Sequence, residues 1–345
     1  MNILHIVGSL DVGGVEKWLL SLCENQHKNN IYILCNSSRD EEFKLENRFR
    51  DSGCIIIKTK FSNNFIKDFF KFKNIILSKN IQVVHAHQHT YNGIYMLYAS
   101  ILKVKKRISH MHSMRSEKRL HRILYKNIML YLIKRFSTNL IVVSKQVGDY
   151  FFKNNKTKVI HCGFDLSNID KFKEIYSNEK KLIQIGRLVP EKNFLFSLDV
   201  FYELLKINKE YEFYIIGDGP DKNKIINKIN ALGLEKNVHL LGYREDVIDL
   251  LNNHKGIVLF PSLWEGLGLV AIEAQISGRQ CLSSNNVPIE TNIGGNTFLK
   301  GYDVSQWLYE IIKISNNKSR LNENLSNFDI LTNISDLEKI YECFD

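Results

Sequence analysis

A regular alternation of short apolar runs with longer amphipathic stretches is the feature that most constrains how this chain folds. In the first half the short runs are ILHIV (3–7), IYILC (31–35), CIIIK (54–58), IQVVH (81–85), KRISH (106–110) and NLIVVS (139–144). After a polar stretch through Asn178, the alternation restarts with KLIQIGRL (181–188), EFYIIGDG (212–219), NVHLLGY (237–243), GIVLFPS (256–262) and RQCLSS (279–284). Strands that alternate with helices build parallel sheets, so the pattern predicts an α/β protein with two doubly wound sheets.

The 345 residues are enough for two domains that each bury a core of their own. We expect an N-terminal domain over 1–168 and a C-terminal domain over 169–325. The segments 304–314 and 334–344 have helical periodicity, and the terminal region 326–345 is expected to pack back on the N-terminal domain as a helix. In doubly wound sheets ligands bind beyond the carboxyl ends of the strands, so the informative motifs directly follow strands.

Composition excludes several classes of protein. The chain is 44% hydrophobic and 24% charged, and it lacks the roughly 18 uninterrupted apolar residues that a membrane-spanning helix needs. The first residues, MNILHIVGSL, have no basic start of the kind that signal peptides carry, which predicts a first strand and a cytoplasmic protein. The six cysteines have no metal-type spacing and are expected to be reduced structural thiols.

Positive charge is concentrated in the first half of the chain. Residues 1–160 contain 27 Lys and Arg against 11 Asp and Glu, whereas residues 161–345 contain 20 against 26. The basic half suits an anionic partner such as a phospholipid surface, a lipid pyrophosphate or nucleic acid, and a generally Lys-rich composition is the alternative explanation. The sequence has no zinc-finger spacing, RNP motif or basic-region zipper, so nucleic acid is not the expected partner.

The strongest chemical motif follows the run GIVLFPS. Glu265 comes first, residues 266–268 form a predicted tight turn, and a helix that carries Glu273 is predicted to begin at Leu269. Free N–H groups at a helix start favour an anion, and two glycines allow a phosphate to approach the backbone closely. The motif therefore suits a diphosphate, with glutamates to accept hydrogen bonds from hydroxyls, although a capped helix with two solvated glutamates is the simpler alternative.

The segment EGLGLVAIEAQISG (265–278) resembles the pattern of glycosyltransferase family 4, in which two glutamates eight positions apart frame the donor pocket. The resemblance covers most of the chain. Its other segments, in the order of the family, are DVGGVEKWLLSL (11–22), VSKQVGDYF (143–151), IGRLVPEKN (185–193), GDGPDKNKI (217–225), LLGYREDV (240–247) and VPIETNI (287–293). Membership implies the GT-B fold, two Rossmann-like domains that face each other across a cleft. It also implies retaining transfer from a nucleotide sugar, with no cofactor and no bound metal.

The resemblance also assigns roles to individual residues. Arg187 and Lys192 match the family's diphosphate-binding basic pair, and His112 matches its active-site histidine, although a shift by two residues would select His110 instead. The remaining donor-binding candidates are Gly13, Gly14, Tyr243, Arg244, Glu265, Gly266, Leu267, Gly268, Leu269 and Glu273, with Glu290 as a second-tier candidate.

Two nearby features fit the family less directly. The histidines of HAHQHT (85–90) invite a metal interpretation, but no carboxylate or further ligand is arranged around them, so a polar loop beside the acceptor site is the preferred interpretation. In IHCGFD, Cys162 stands where the family usually has Asn, which points to an altered hinge turn.

Within the family, the segment PSLWEGLGLVAIEAQISGRQCLSSNNVPIE (261–290) most resembles bacterial transferases that assemble capsular or exopolysaccharide repeats on a polyprenyl pyrophosphate, usually from UDP-sugars. The basic segments KVKKR (103–107) and RSEKRLHRILYKNIMLYLIKRF (115–136) fit peripheral contact with the inner face of an anionic membrane, and an ordinary core-packed helix is the alternative. A sugar-nucleotide epimerase or a phosphorylase of the same fold remains a second functional hypothesis.

Overall fold

The computed structural model describes residues 1–37, 41–62, 64–114, 120–153, 156–167, 174–176, 179–314, 318–320 and 324–343. The chain divides into two compact units. Unit 1 consists of Met1–Ser167 and Ser326–Asp345, and unit 2 consists of Asn168–Leu325. The domain boundary expected at residues 168 and 169 lies outside the described residues.

Unit 1 is built on one parallel sheet. Its strands among the described residues are β1 (Asn2–Val7), β2 (Asn30–Cys35), β3 (Ile55–Lys58), β4 (Val83–Ala86), β5 (Lys106–Met111), β6 (Asn139–Val142) and β7 (Lys158–Val159). The helices that follow them are α1 (Gly14–Asn25), α2 (Glu46–Asp51), α3 (Phe65–Ser78), α4 (Asn92–Ile101), α5 (Leu120–Phe136) and α6 (Lys145–Phe152). The inner strands are almost entirely buried because helices cover both faces of the sheet, which explains their continuous apolar runs.

The strand order of unit 1 is β3-β2-β1-β4-β5-β6-β7. The chain moves from β1 to β2 and β3 on one side, and then crosses back to place β4 on the other side of β1. This reversal between β1 and β4 is a topological switch point, where the loops after two neighbouring strands diverge and leave a crevice for ligands.

Unit 2 repeats this architecture. Its strands among the described residues are β8 (Glu174–Tyr176), β9 (Lys181–Ile185), β10 (Glu212–Ile216), β11 (Val238–Gly242), β12 (Ile257–Phe260), β13 (Cys281–Ser284), β14 (Asn296–Leu299) and β15 (Lys318–Arg320). Its helices are α7 (Phe194–Ile207), α8 (Lys222–Leu232), α9 (Val247–Asn253), α10 (Leu269–Ile276) and α11 (Val304–Ile314). Six strands form a parallel sheet in the order β11-β10-β9-β12-β13-β14, while β8 and β15 form an antiparallel pair. The switch point of this sheet lies between β9 and β12.

Each face of the unit 2 sheet has its own apolar core. Leu182 of β9 joins a cluster with side chains of α7, α8 and α11, and the next residue, Ile183, joins a second cluster with side chains of α9 and α10. Alternate residues of a strand point to opposite faces, so a continuous apolar run is what a strand between two helical layers requires.

The chain ends in α12 (Ile330–Glu342), which belongs to unit 1 and packs against α1. Asn333 of α12 joins two segments, since its Oδ1 accepts hydrogen bonds from Trp18 Nε1 at 3.0 Å and from the Gly163 backbone N–H at 2.9 Å. The terminal helix begins four residues before the segment expected over 334–344, because Asp329 caps it by accepting a hydrogen bond from the Leu331 N–H. Among the described residues, no helix is long and apolar enough to cross a membrane.

Candidate active site

The basic and acidic candidates of unit 2 meet at its switch point. Arg187 and Lys192 lie in the loop after β9, and Glu265 lies in the loop after the neighbouring strand β12. Lys192 Nζ forms an ion pair with Glu265 Oε1, and both side chains are mostly buried, at 19% and 12% exposed. Arg187 is instead 71% exposed, with Nη2 at 3.6 Å from Glu191 Oε1. The fold therefore brings Lys192 and Glu265 together and leaves the guanidinium of Arg187 facing solvent.

Two residues that sequence reasoning missed hold this ion pair. Ser262 Oγ donates a hydrogen bond to Glu265 Oε1 at 2.8 Å, and Lys192 Nζ lies 5.0 Å from the centre of the Phe260 ring. Both residues belong to the run GIVLFPS, where their only visible signal was a position at the end of a strand. The carboxylate and the ammonium are thus each fixed by a second partner.

The turn before α10 has the geometry expected of an anion site. Gly268 is the N-cap of α10 and has a φ of 95°, a conformation that side-chain-bearing residues rarely adopt. A Cβ at this position would lie 3.0 Å from Phe260 Cε1. Gly266 and Leu267 are buried in the turn. The Ala271 N–H donates to the Gly268 carbonyl, so the N–H groups of Leu269 and Val270 are the donors at the start of α10. Glu273 lies on α10, one turn from its start, and is half-buried.

The candidates for contact with the nucleotide base lie farther along the sheet. Tyr243 and Arg244 follow β11, which is separated from β12 by β10 and β9. Tyr243 is 40% exposed, and Arg244 forms two hydrogen bonds with Asp246 at 2.8 and 2.6 Å. Glu290 lies in a short 3₁₀ turn after β13 and is half-buried. Neither Tyr243 nor Arg244 contacts the ion pair of Lys192 and Glu265 in this arrangement.

In unit 1, Gly13 and Gly14 form the start of α1, after β1 at the switch point. A Cβ at Gly13 would lie 2.2 Å from Glu16 Oε2, because the Glu16 side chain folds back over the first turn of the helix. Burial raises the pKa of the Glu16 carboxyl, and the charge of Asp11 adds to this effect. A side chain at position 13 would therefore have to displace the flexible Glu16 carboxylate from the helix N-terminus.

The least expected feature of unit 1 is a cluster of five imidazole rings on one face of its sheet. The neighbouring strands β1, β4 and β5 supply them, and His5 lies directly opposite His85 in the register. Neighbouring ring centroids lie 3.9–5.5 Å apart. The members of this histidine cluster are His5, His85, His87, His110 and His112.

His112 occupies the outer end of the histidine cluster. It directly follows β5 and is half-buried, with Nε2 at 2.9 Å from His87 Nδ1 and Nδ1 at 3.6 Å from Cys162 Sγ. Burial lowers the pKa of His112 to about 3, so the ring is neutral at physiological pH. The contacts of His112 with His87 and Cys162 had no counterpart in the sequence motifs.

The segment RISHMHSM (107–114) predicts that both His110 and His112 lie on a loop after the strand, and for His110 this prediction is wrong. His110 is inside β5, paired with Ile141 of β6, and its side chain is fully buried. Strand β5 extends one residue beyond the predicted run because β6 pairs with it as far as Met111, which lies opposite Val142. Only His112 therefore lies beyond the end of the strand, where ligands bind in sheets of this type.

Helix α5 has an apolar outer surface as well as an apolar inner one. Met129 and Ile133 are buried against unit 1, and a second set of apolar side chains recurs every three or four residues on the opposite side. Leu120, the first of this set, is 82% exposed. The members of this set are Leu120, Leu124, Ile128 and Tyr131, and Tyr125 of α5 is exposed as well. Residues 115–119 of the basic segment lie outside the described part of the chain.

A groove of about 520 Å³ lies beside this surface, between α3 and α5. Phe65 of α3 and Tyr125 of α5 line it, and Arg122 lies at its rim with His121. Phe65 is half exposed, and Ile66 continues the apolar surface along α3. These exposed apolar side chains of α3 and α5, with basic groups among them, form a surface suited to contact with lipid or with another molecule.

Comparison with known proteins gives matches along nearly the whole chain. The profile "Glycosyltransferase Family 4" matches residues 12–168, and "Glycosyl transferases group 1" matches residues 166–328. The capsular polysaccharide biosynthesis glycosyltransferase CapH of Staphylococcus aureus is 29% identical over 99% of this chain and 98% of its own. An Escherichia coli UDP-Gal:alpha-D-GlcNAc-diphosphoundecaprenol alpha-1,3-galactosyltransferase is 22% identical over 80% of this chain and 79% of its own.

Solved structures show the same architecture. Anabaena HepE, in complex with UDP and glucose, superposes with a TM-score of 0.79 at 16% identity and covers 98% of both chains. The lipopolysaccharide outer core galactosyltransferase WaaB, in its apo form, superposes with a TM-score of 0.72 at 15% identity over 99% of both chains.

Proposed function

The chain belongs to glycosyltransferase family 4 and has the GT-B fold, and we propose that it transfers a sugar from a UDP-sugar with retention of anomeric configuration. The proposed acceptor is a saccharide on a polyprenyl pyrophosphate, and the proposed product is a bacterial capsule or exopolysaccharide. The described functions of CapH and of the E. coli galactosyltransferase support this pathway and acceptor. The UDP and glucose in the HepE complex support the donor.

The observation that carries the proposal is the meeting of Lys192 with Glu265 at the switch point of unit 2, beside the start of α10. A donor diphosphate requires positive charge and N–H groups, which Lys192 and the first turn of α10 supply. A sugar requires a hydrogen-bond acceptor for its hydroxyls, which the Glu265 carboxylate supplies. Arg187 is exposed in the same loop as Lys192, and its planar guanidinium can bind a phosphate through two N–H groups.

The proposed reaction breaks the bond between the anomeric carbon and the UDP oxygen through a cationic, oxocarbenium-like sugar. The bonding electrons remain on the β-phosphate oxygen, and its developing charge is stabilised by Lys192, Arg187 and the N–H groups of α10. The acceptor hydroxyl oxygen forms the new bond on the face that UDP leaves, and its proton passes to the departing phosphate. Retention then requires no pair of catalytic carboxylates.

The other candidate residues take positioning roles in this proposal. Glu273 accepts hydrogen bonds from the ribose hydroxyls, and Tyr243 and Arg244 flank the base. His112 hydrogen-bonds a hydroxyl of the donor sugar. Arg244 donates to Asp246 from Nε and Nη2, and the N–H groups of Nη1 can donate to the base without loss of these bonds.

A thermal-shift screen of nucleotide sugars tests the donor. A ligand at 100 times its Kd stabilises the folded protein by about 2.7 kcal/mol, which corresponds to roughly 5–10 °C for a domain the size of unit 2. We expect UDP and UDP-sugars to raise Tm by this amount, with GDP- and ADP-sugars as matched controls. A shift with one of the control series and none with UDP would refute the proposed donor.

We also propose that the outer surface of α5 contacts an anionic phospholipid membrane. Its exposed apolar stripe supplies area to bury, and the exposed Lys134 and Arg135 of the same helix supply attraction to anionic headgroups. Flotation with phosphatidylglycerol vesicles should carry the wild-type chain, and Ile128→Glu should reduce binding at least fivefold. Ile248→Glu, at an equally exposed apolar residue of α9 in unit 2, is the control and should bind like the wild type. Equal flotation of the wild type and Ile128→Glu would refute the membrane contact.

A further inference from the structure

The histidine cluster contains a hydrogen-bonded chain that ends at His112. His5 Nδ1 lies 3.0 Å from His87 Nε2, and His87 Nδ1 lies 2.9 Å from His112 Nε2. The next contact is from His112 Nδ1 to Cys162 Sγ at 3.6 Å. His5 is fully buried and His87 is 8% exposed, so solvent does not compete for the bonds between them.

Burial keeps the members of this chain neutral. It lowers the pKa of His5 to about 3 and the pKa of His87 well below its ordinary value. At His87, repulsion from the charges of neighbouring rings lowers the pKa further. A neutral imidazole carries one N–H, so each ring in the chain is a donor at one nitrogen and an acceptor at the other. The tautomers of the three rings are therefore coupled, and the chain has only two possible directions.

The two directions differ at their ends. In one, each ring carries its proton on Nδ1, so His5 donates to His87, His87 donates to His112, and His112 donates to the Cys162 sulfur. In the other, each ring carries its proton on Nε2, the weak S–H donor faces His112, and His5 Nε2–H has no partner among the described residues. Buried N–H groups without partners are rare in folded proteins, and an imidazole N–H is a stronger donor than a thiol. The first direction is therefore the stable one.

We infer that His87 is a positioning residue, which donates to His112 Nε2 and thereby holds His112 in the tautomer that carries its proton on Nδ1. The inference rests on the proposed function, in which His112 contacts the donor sugar. In this tautomer His112 is a hydrogen-bond donor. Its resting partner, the Cys162 sulfur, is a weak acceptor that a sugar hydroxyl oxygen can replace.

A metal ion is the competing explanation for so many histidines. The ligand atoms of His5, His85 and His87 lie within 4.8 Å of one another, as do those of His87, His110 and His112. His87 belongs to both groups, and both of its nitrogens are already taken by His5 and His112. Neither group contains a carboxylate to balance the charge of a buried cation, so neutral hydrogen bonds explain the placement of His5, His87 and His112 better.

The tautomer can be measured directly, without turnover. In the full-length chain with ¹⁵N-labelled histidine, the ring nitrogens of His112 are assigned by comparison with His112→Gln. We expect a protonated Nδ1 and a bare Nε2 in the wild type, and a mixture of tautomers in a folded His87→Leu variant. A protonated Nε2 in the wild type, an unchanged His112 spectrum in His87→Leu, or a stoichiometric metal ion by elemental analysis would each overturn the inference.

Kinetics supply the second readout. His87→Leu should lower kcat about tenfold or more with the donor KM changed less than threefold, and His87→Gln, which keeps an N–H donor, should recover most of the loss. His85→Leu is the matched control, since His85 is two residues before His87 and belongs to the same histidine cluster but bonds to Tyr341 at 2.8 Å. It should keep kcat within twofold of the wild type, and an equal loss in both leucine variants would overturn the inference. If no UDP-sugar supports turnover, the proposed function fails and the tautomer measurement still decides the role of His87.

Discussion

Replacing Lys192 with methionine separates the two effects that its position implies, one on stability and one on catalysis. The variant leaves Glu265 only 12% exposed and without its ion-pair partner, although Ser262 still donates to it. Exposed pairs contribute about 0–1 kcal/mol, and breaking a fully buried pair costs about 3–5 kcal/mol. We therefore expect a loss of about 2 kcal/mol, which lowers the Tm of a unit of this size by roughly 4–8 °C.

The catalytic effect is larger. Loss of one charged group that stabilises the leaving diphosphate costs about 3 kcal/mol in the transition state, so kcat should fall roughly 100-fold. Release of UDP from the donor, in a coupled assay on protein shown to be folded by circular dichroism, measures this. Lys228→Met is the control, because Lys228 is 25% exposed and forms an ion pair at 2.6 Å with the more exposed Asp199 in the same unit. It should keep kcat within twofold of the wild type.

A double variant tests the reasoning further. Changing Glu265 to glutamine in the Lys192→Met background removes the unpaired charge, so most of the lost Tm should return while kcat stays low. A folded Lys192→Met variant with kcat within threefold of the wild type would refute the assignment of Lys192 to the leaving group.

Three further predictions concern the buried histidines and the glycines. The free energy of unfolding should fall as pH decreases from about 6.5 to about 3, since the pKa of His5 is lowered in the folded chain to about 3 and the unfolded chain binds the proton first. In urea titrations, the slope of the unfolding free energy against pH should correspond to about one fewer bound proton in His5→Leu than in the wild type. An equal slope in the two proteins would contradict the burial argument. Gly217→Ala should lower Tm by several degrees, because its Cβ would lie 1.9 Å from the Gly186 carbonyl oxygen, and a wild-type Tm would argue against this close approach. Gly268→Ala forces an alanine to a φ of 95° against the Phe260 ring, so it should cost about 1–2 kcal/mol and raise the UDP Kd by calorimetry; unchanged UDP affinity would remove the turn from the donor site.

The sheets could be predicted from sequence because the signal for them is local. A strand between two helical layers must be apolar on both sides, as Leu182 and Ile183 of β9 illustrate, and such runs are visible without knowledge of their neighbours. The strand β14 (Asn296–Leu299) had no such signal, since its sequence is short and begins with a polar pair. The edge strand β14 was therefore missed, whereas the apolar runs at 54–58 and 237–243 predicted the edge strands β3 and β11.

The pairings within the candidate site could not be predicted, because they depend on strand order and register. Lys192 and Glu265 are 73 positions apart and meet only because β9 lies beside β12. His5 and His87 are 82 positions apart and meet because β1 pairs with β4 in a particular register. The resemblance to a family indicated which residues matter in the first case, whereas nothing in the sequence motifs linked His5, His87 and His112.

The most direct test of the central claim is the identity of the first sugar that the enzyme releases from a donor. Slow hydrolysis of a UDP-sugar requires no knowledge of the acceptor, and proton NMR resolves the anomers of the free sugar before they equilibrate. We expect the first products to be UDP and the free sugar as the α-anomer from an α-linked donor, with the sugar's other stereocentres unchanged. Lys192→Met should slow this release roughly 100-fold. Initial release of the β-anomer, release of an epimer, or no UDP release from any UDP-sugar would contradict it.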